Sequence, residues 1–479
     1  MSVAEDAIKT IMRDTDHGGG RGAPPERLPV GILAALLAVA IAVAVACAAR
    51  VAARHAARRA AHSVAAESGP LKIETLILQR AALDDPHLLP LYGSSELYCC
   101  GDPYRATQVF ASEPTGFDAF AVGQAGVSNL LFLQMFGALG SDLRGKKLVL
   151  LNSPPWFTEP AQYRQDSYVS NFSSEIAEKF VFDAPISARL REAGARRMLA
   201  FPQTLEGNLL LRLAVHALAR PSGLHRATYR VLVPLGRLEA WIEESRAAVR
   251  TLLFLRHHGG GRAEPPAGSE TLDWPTLAAH ATEIAVRRNT SNPFGIPDGN
   301  VRRMLMGKRP KDVYETALAT YRSGANNHDG QLYPVPVEWK AAMAHSEEWT
   351  DLQLAAAVLG ELGARPFLWT MPLDGFFEDY TPFSAPVRRD YYERWEHIVR
   401  RTGFPWLDFR DADEDRYFLT GTGGHLGPRG WIFADRALDM FWRGRSADEI
   451  RDAMAALAEQ VPPPPNTQAS ATNVHEEAP

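Results

Sequence analysis

A serine and a histidine, far apart in the chain, have the surroundings that nucleophilic catalysis requires. Ser95 lies in the motif GSSEL (Gly93–Leu97), directly after the short apolar run Leu88–Tyr92. If that run is a parallel strand, Gly93 allows a tight turn and Ser95 begins the next helix. Its hydroxyl then projects above the sheet edge where ligands bind in such folds. Alone, the triplet is also compatible with a serine that simply caps a helix.

His425 lies between glycines in the sequence GGHLGPRGW (Gly423–Trp431). A histidine on a glycine-rich loop can approach a nucleophile and accept its proton as a general base. Considered alone it is also compatible with an ordinary polar loop residue. The segment VGQAGVSN (Val122–Asn129) is a second strand end rich in glycine. Its Gly126 is a candidate donor to an oxyanion, with an ordinary strand-to-helix turn as the other interpretation.

Short apolar segments alternate with longer amphipathic stretches, which predicts a parallel sheet with crossover helices. The predicted strands are Leu88–Tyr92, Phe117–Val122, Lys147–Leu151, Arg365–Met371 and Trp406–Phe409. The predicted helices are Ser128–Leu139 and Trp349–Leu362 beside the strands, and Glu175–Phe182, Ser187–Glu192, Leu205–Ala219 and Leu235–Leu255 where the alternation lapses. We therefore expect an α/β sandwich with a mostly helical insertion at about residues 157–345.

An uncharged apolar run, Leu28–Ala49, is long enough to cross a hydrocarbon core of ~30 Å as a helix. A cleaved signal peptide would have a shorter apolar stretch. Leu235–Leu255 is interrupted by charges and is predicted to be amphipathic, not a second span. The predicted organisation is a disordered tail (1–27), a transmembrane helix (28–49), a stalk (50–70), a catalytic domain (71–460) and a disordered tail (461–479).

Composition excludes several classes of protein. The chain has 51 basic and 56 acidic residues, which gives no electrostatic case for binding nucleic acid. The cysteines are Cys47, Cys99 and Cys100, which cannot form a disulfide framework. His257 and His258 lie in a loop without a third ligand and are better explained as solvated surface than as a metal site. We expect neither a metal nor an organic cofactor.

Six motifs together, in this order, resemble the DltD family. They are GSSEL (Gly93–Leu97), VGQAGVSN (Val122–Asn129), SPPWF (Ser153–Phe157), NPF (Asn292–Phe294), HSEEWTDLQL (His345–Leu354) and HLGPRGW (His425–Trp431). The resemblance covers about residues 85–445. That family is related to the SGNH hydrolases and takes part in D-alanylation of teichoic acids. The resemblance implies an SGNH-hydrolase-like three-layer sandwich behind one N-terminal transmembrane helix.

The resemblance also implies an orientation in the cytoplasmic membrane. Basic residues flank the apolar run on both sides, so the positive-inside rule alone does not place the catalytic domain. They are Lys9, Arg13, Arg21 and Arg27 before the run, and Arg50, Arg54, Arg58 and Arg59 after it. Members of the family carry the catalytic domain outside, and we expect the same here.

Carried over to this chain, the family pattern makes Ser95 the nucleophile and His425 the base, with the Ser95 amide and Gly126 forming the oxyanion hole. SGNH relatives have an aspartate three residues before the histidine, where this chain has Thr422. Either the site is a dyad with Thr422 as a neutral partner, or one of four nearby carboxylates orients the histidine: Asp408, Asp411, Asp413 or Asp415. Candidate pocket residues are Gly93, Ser94, Glu96, Asn129, Ser153, Trp156, Asp374 and Trp431.

The expected reaction is acyl transfer through an acyl-Ser95 intermediate to a hydroxyl of an extracytoplasmic envelope polymer. The resemblance implies a D-alanyl group, a teichoic-acid-like or other glycan acceptor, and a membrane O-acyltransferase and an acyl carrier protein as partners. Transfer to water, as in an esterase or thioesterase, begins with the same intermediate and stays open. A non-catalytic envelope scaffold that recruits a partner enzyme is a further alternative, which Thr422 favours.

Overall fold

The computed structural model describes residues 30–464 except 68, 99–101, 159–160, 221, 261–267, 269–270, 292–338, 379–383 and 421–424. Two compact units are distinguished, Met1–Ala48 and Ala49–Pro479. The predicted N-terminal tail, residues 465–479 of the predicted C-terminal tail and the NPF motif lie outside the described residues. The domain boundaries proposed from the sequence stay predictions.

The elements follow each other in the alternating order that the sequence predicts. The strands are β1 (Leu88–Gly93), β2 (Asp118–Gly123), β3 (Lys147–Asn152), β4 (Arg365–Thr370) and β5 (Trp406–Asp408). The helices are α1 (Val30–Ala60), α2 (Leu71–Glu74), α3 (Leu76–Asp84), α4 (Ala106–Ser112), α5 (Asn129–Leu139), α6 (Ala161–Ser170), α7 (Ser174–Phe182), α8 (Ala188–Met198), α9 (Gln203–Glu206), α10 (Leu209–Ala219), α11 (Gly223–His258), α12 (Trp274–Ser291), α13 (Trp339–His345), α14 (Glu348–Glu361), α15 (Gly375–Glu378), α16 (Ala385–Arg400), α17 (Pro428–Trp442) and α18 (Ala447–Gln460).

The five strands form one parallel sheet in the order β2-β1-β3-β4-β5. All five predicted strands are confirmed, with ends that differ by at most one residue. From β1 the chain passes to β2 at one edge of the sheet, and from β2 it crosses back over β1 to β3. The strand order therefore reverses at β1, and the crevice beyond the carboxyl end of such a strand is where open α/β sheets bind ligands.

Side chains of each strand alternate between two hydrophobic clusters, one on each face of the sheet. Leu88 and Tyr92 of β1 belong to the cluster that contains α3, α5, α14 and α16. Leu89 and Leu91 belong to the cluster that contains α4, α12, α17 and α18. The structure is thus the expected three-layer α/β sandwich.

Helices fill the described part of the chain between β3 and β4, as expected for the insertion. The predicted helix Leu205–Ala219 is divided into α9 and α10, because Asn208 caps a new helix by accepting a hydrogen bond from the Leu211 amide at 2.8 Å. The predicted helix Leu235–Leu255 is the middle of α11, which has 36 residues and starts at a Ser222 cap. This long helix extends well beyond its predicted ends.

Residues expected to form a stalk are part of the compact α/β unit. Ala53 and Ala57 of α1 and the following Val64 have no exposed surface. The buried Lys72 ammonium donates to the carbonyl oxygens of Ala65 (2.8 Å) and Ala121 (3.1 Å), which ties this segment to β2. Small alanine side chains allow the helix to lie close to its neighbours, so this segment does not stand apart from the fold.

The N-terminal part of α1 has the character of a membrane span. The helix segment Gly31–Ala60 contains an 18-residue stretch with a mean hydropathy of 2.9, and no residue of that stretch is buried. By its length and composition this segment can cross a bilayer. One helix near the N-terminus therefore fits the predicted single-pass anchor.

Candidate active site

The serine and the histidine singled out from the sequence meet at the carboxyl edge of the sheet. Ser95 Oγ lies 3.0 Å from His425 Nε2, although the two residues are 330 positions apart in the chain. Ser95 begins a short 3-10 turn directly after β1, and His425 lies in the connection between β5 and α17. Both side chains are half-buried. This is hydrogen-bond distance for a nucleophile and its base.

The turn that carries Ser95 is held by hydrogen bonds on both sides. The Ser94 amide donates to Glu96 Oε1 at 2.6 Å. The Ser94 hydroxyl donates to the Gln124 carbonyl and accepts from the Gly126 amide, each at 3.1 Å. Ser94 therefore joins the end of β1 to the loop that follows β2, and it fixes the backbone immediately before the nucleophile.

Two glycines allow the strand ends to approach each other closely. A Cβ on Gly123 would lie 2.2 Å from the Gly93 carbonyl oxygen, which no side chain permits. A Cβ on Gly93 would lie 2.8 Å from Glu96 Oε1. Gly93 thus belongs to the tight turn beneath Ser95, as predicted. Position 123 requires a glycine because the backbones of β1 and β2 come into close contact there.

Gly126, the predicted second donor to an oxyanion, has a left-handed backbone and donates its amide hydrogen bond to Ser94. Its φ is +81°, in the left-handed region that favours glycine. Its amide donates to the Ser94 hydroxyl. Because that donor is already used, Gly126 supports the nucleophile turn in this structure, and the Ser95 amide remains the candidate oxyanion donor.

Glu96 was predicted to line the pocket. It lies beneath the turn of Ser95 and is not among the residues that line the cavity described below. Its side chain is buried, and burial raises its pKa to about 7. Either protonation state can accept the hydrogen bond from the Ser94 amide. Glu96 is therefore placed to position Ser95 through Ser94.

Backbone hydrogen bonds lie on either side of His425 in the described part of its loop. The Thr420 amide donates to the His425 carbonyl and the Gly427 amide to the Phe418 carbonyl, each at 2.8 Å. Leu419 and Leu426 form an antiparallel bridge. Burial lowers the pKa of His425, which favours the neutral imidazole that a general base requires.

Three of the four carboxylates expected to orient His425 are paired with arginines. The pairs are Asp408 with Arg410 (2.7 Å), Asp413 with Arg388 (3.1 Å) and Asp415 with Arg429 (2.6 Å). Asp411 is exposed. In the described part of the chain none of the four is bonded to His425, so the expectation that one of them orients it is not met. Thr422 lies outside the described residues.

A cavity of about 390 Å³ adjoins the Ser95–His425 pair. Its other described lining residues are Gly69, Pro70, Tyr98, Gly123, Gln124 and Ala125. Most of this lining is apolar. Burial raises the pKa of the Tyr98 hydroxyl, so it stays protonated and can donate a hydrogen bond.

Most of the residues that line this cavity were not predicted from the sequence. Tyr98 directly follows the GSSEL motif, and Gln124 lies inside VGQAGVSN, so position within the motifs was an available signal for both. Gly69 and Pro70 belong to the segment predicted to be a stalk, and nothing in their sequence context indicated a site.

Four of the predicted pocket residues are buried in the core or in its polar network. They are Asn129, Ser153, Trp156 and Trp431. The Asn129 amide and side chain both donate to Glu348 Oε2 at 3.2 Å, which connects the loop after β2 to α14. Burial raises the pKa of Glu348. Asp374 is half-buried ahead of α15 and is not among the residues that line this cavity.

The protein is a three-layer α/β sandwich with a parallel sheet. A serine hydroxyl and an imidazole meet at the strand where the order of the sheet reverses. Their distance and position are those of the nucleophile and base in serine-dependent acyl-transfer enzymes. The family model described as "DltD protein" matches residues 66–443 of the chain. The chain therefore belongs to the DltD family, which takes part in D-alanylation of teichoic acids.

Two curated relatives carry the same name. The chain is similar to "Protein DltD" of Bacillus subtilis (strain 168), with 28% identity over 79% of this chain and 88% of the relative. It is also similar to "Protein DltD" of Staphylococcus aureus (strain NCTC 8325 / PS 47), with 22% identity over 78% of this chain and 86% of the relative.

Proposed function

We propose that the protein is a membrane-anchored serine acyltransferase that forms an acyl-Ser95 intermediate. The 3.0 Å contact between Ser95 Oγ and His425 Nε2 is the observation that carries this proposal. His425 accepts the hydroxyl proton while Oγ forms a bond to the acyl carbon, and the bond to the leaving group breaks as the histidine returns the proton to it. In the second step an acceptor hydroxyl gives its proton to His425 and forms a bond to the acyl carbon, and the bond from that carbon to Ser95 Oγ breaks as the histidine returns the proton to Oγ.

Two features of the site support this chemistry. The buried imidazole has a lowered pKa, so it is neutral where a base must act. The Ser95 amide, at the start of the turn, would donate to the oxygen that becomes negative in the tetrahedral intermediate. Ser94, Glu96 and the Gly126 amide hold that turn in place.

Membership of the DltD family supports a D-alanyl group as the acyl group and a teichoic-acid-like envelope polymer as the acceptor. A membrane O-acyltransferase and an acyl carrier protein are the proposed partners in the same pathway. With α1 as a single-pass anchor, the catalytic unit lies on the outer side of the cytoplasmic membrane, where such a polymer is located.

The test measures ester-linked D-alanine released from the envelope by mild base, in cells that lack the native gene. Wild type should restore the ester, whereas Ser95→Ala and His425→Ala should not. Ser112→Ala is the matched control, because Ser112 is exposed on α4 and away from the site. Full modification by Ser95→Ala, at wild-type protein levels, would refute the catalytic role and support a scaffold.

A further inference from the structure

The candidate oxyanion hole beside Ser95 has one assigned donor, the Ser95 amide. The Gly126 amide, which the sequence predicted as the second donor, is bonded to the Ser94 hydroxyl at 3.1 Å. Sites that stabilise an oxyanion combine donors from backbone amides and from side chains, including those of asparagine and glutamine. A second donor should therefore come from the residues that share the cavity with Ser95.

Gln124 lines that cavity with a side-chain amide that has no partner among the described residues. Its Oε1 is buried and accepts no hydrogen bond from them. Its Nε2 forms no hydrogen bond to them either, but this atom is not buried. Because the side chain as a whole is half-buried, the end that a ligand in the cavity can reach is Nε2, which is a hydrogen-bond donor.

The backbone that carries the Gln124 side chain is fixed beside the nucleophile. Its carbonyl oxygen accepts a hydrogen bond from the Ser94 hydroxyl at 3.1 Å, and Ser94 directly precedes Ser95. The residue before it, Gly123, is in the close backbone contact with Gly93 that excludes any side chain. An oxyanion donor has to be in place before charge develops, and a side chain on a fixed backbone meets that condition.

Tyr98 is the competing side-chain donor, because it belongs to the same cavity lining. Its hydroxyl oxygen is buried, although the residue as a whole is only half-buried. The accessible part of Tyr98 is therefore its ring, and a substrate in the cavity meets that ring before the hydroxyl. Nε2 of Gln124 is the better placed of the two donors.

The surroundings of Gln124 suit a negative charge that develops on a substrate oxygen. The described lining of the cavity contains no acidic side chain, and most of it is apolar. In apolar surroundings an N–H donor stabilises a charge more strongly than it does in water. A substrate amine would instead require the acceptor, Oε1, which is buried. The Gln124 amide is thus arranged to bind an oxygen of the substrate.

We propose that Gln124 is a catalytic residue whose Nε2, together with the Ser95 amide, donates to the oxyanion of the acyl group. As Ser95 Oγ bonds to the acyl carbon and gives its proton to His425, the π electrons of the carbonyl bond move to its oxygen. Both donors stabilise that negative oxygen. The carbonyl bond then re-forms, the bond to the leaving group breaks, and the leaving group takes the proton from His425. This role of Gln124 rests on the proposed acyl transfer at Ser95.

The test measures kcat and KM of the purified full-length protein for hydrolysis of p-nitrophenyl acetate. Gln124→Ala should lower kcat about tenfold and leave KM nearly unchanged, because the lost hydrogen bond is made to the charge of the transition state and the Ser95 amide remains. Gln124→Glu puts an acceptor in place of the donor and should not restore kcat. Gln108→Ala is the matched control, because Gln108 is exposed on α4, and it should change neither constant.

A second substrate distinguishes this role from a structural one. In p-nitrophenyl thionoacetate a sulfur atom, which is a weak hydrogen-bond acceptor, replaces the carbonyl oxygen. Wild type should therefore prefer the oxygen ester, and Gln124→Ala should lose about tenfold of that preference. A structural defect at Gln124 would slow both substrates alike and leave the preference as it is.

Three results would overturn the role of Gln124. They are an unchanged kcat in Gln124→Ala, an unchanged preference between the two substrates, and a loss of kcat in Tyr98→Phe alone, which would make the Tyr98 hydroxyl the donor. Ser95→Ala in the same assay reports on the proposed function. If wild type has no turnover that depends on Ser95, the proposed function fails as well. If that turnover is present and Gln124→Ala retains it, only the assignment of Gln124 fails.

Discussion

The two loops that meet at the site are held in different ways. The turn of Ser95 is enclosed by buried side-chain hydrogen bonds from Ser94 and Glu96 and by the close contact of Gly93 with Gly123. In the described part of the His425 loop, two main-chain hydrogen bonds lie on either side of the histidine, and the pair of Arg429 with Asp415 joins the segments before and after the loop. Among the described residues, side chains therefore hold the nucleophile at the turn itself, whereas the side-chain pair that supports the base lies at the two ends of its loop.

This difference shows where sequence change should matter. Substitutions around Ser95 remove a partner from a buried polar group, which is costly. Three acidic residues before His425, namely Asp408, Asp413 and Asp415, are paired with arginines, so their loss should lower stability and leave the proton transfer intact. The predictions below test that contrast, in order of decreasing effect.

Loss of either member of the pair should have the largest effect. Ser95→Ala and His425→Ala should each lower the rate of acyl transfer about 10³-fold or more, because nucleophile and base act as one unit. The double variant should be no slower than either single variant, measured as kcat/KM with an activated acyl ester. An additive loss in the double variant would mean that the two residues act independently.

The Glu96 carboxyl should be the most sensitive position outside the pair. Glu96→Ala leaves the buried Ser94 amide without its acceptor, at a cost of about 1–3 kcal/mol, and we expect a loss of activity of about 10–100-fold. Glu96→Gln keeps an acceptor oxygen and should stay within about threefold of wild type. Equal losses of activity in the two variants would show that the hydrogen bond accepted by Glu96 does not position Ser95.

The pH dependence should follow His425. Burial lowers its pKa, so the imidazole is neutral and active above that pKa and protonated and inactive below it. The acidic limb of kcat/KM should therefore have its midpoint below the ordinary histidine value of about 6.5. The limb should persist in Glu96→Gln. If the acidic limb instead has its midpoint near pH 7 and disappears in Glu96→Gln, the group that titrates is the Glu96 carboxyl, because burial raises its pKa to about 7.

The carboxylates before the histidine should matter least for catalysis. Asp415→Asn removes the partner of Arg429 and should lower the melting temperature, but kcat should stay within about threefold of wild type. An aspartate that orients a catalytic histidine costs about 10⁴-fold in kcat when changed to asparagine in serine proteases. Asp411→Asn, at an exposed position, is the control and should change neither quantity.

Much of the sheet could be predicted because buried parallel strands are short apolar runs with clear ends. Ser95 and His425 could be paired only through the order of several motifs, since nothing in either local sequence specifies a contact across 330 positions. The arginine partners of Asp408 and Asp415 depend on side-chain directions that spacing does not encode. For the same reason Tyr98 was not predicted to line the cavity.

The helical regions show a second limit. The segment 50–70 was predicted to be a stalk, yet the small side chains of Ala53 and Ala57 are fully buried and let α1 pack against the core. Charges within α11 correctly indicated an amphipathic helix, as α11 has one buried face.

The most direct test of the central claim is covalent labelling of the purified full-length protein by a fluorophosphonate, followed by peptide mapping. A single adduct on Ser95 is predicted, absent in Ser95→Ala, much slower in His425→Ala and unchanged in Ser112→Ala. No adduct on wild type, or an adduct on a different serine, would contradict the assignment of Ser95 as a nucleophile activated by His425.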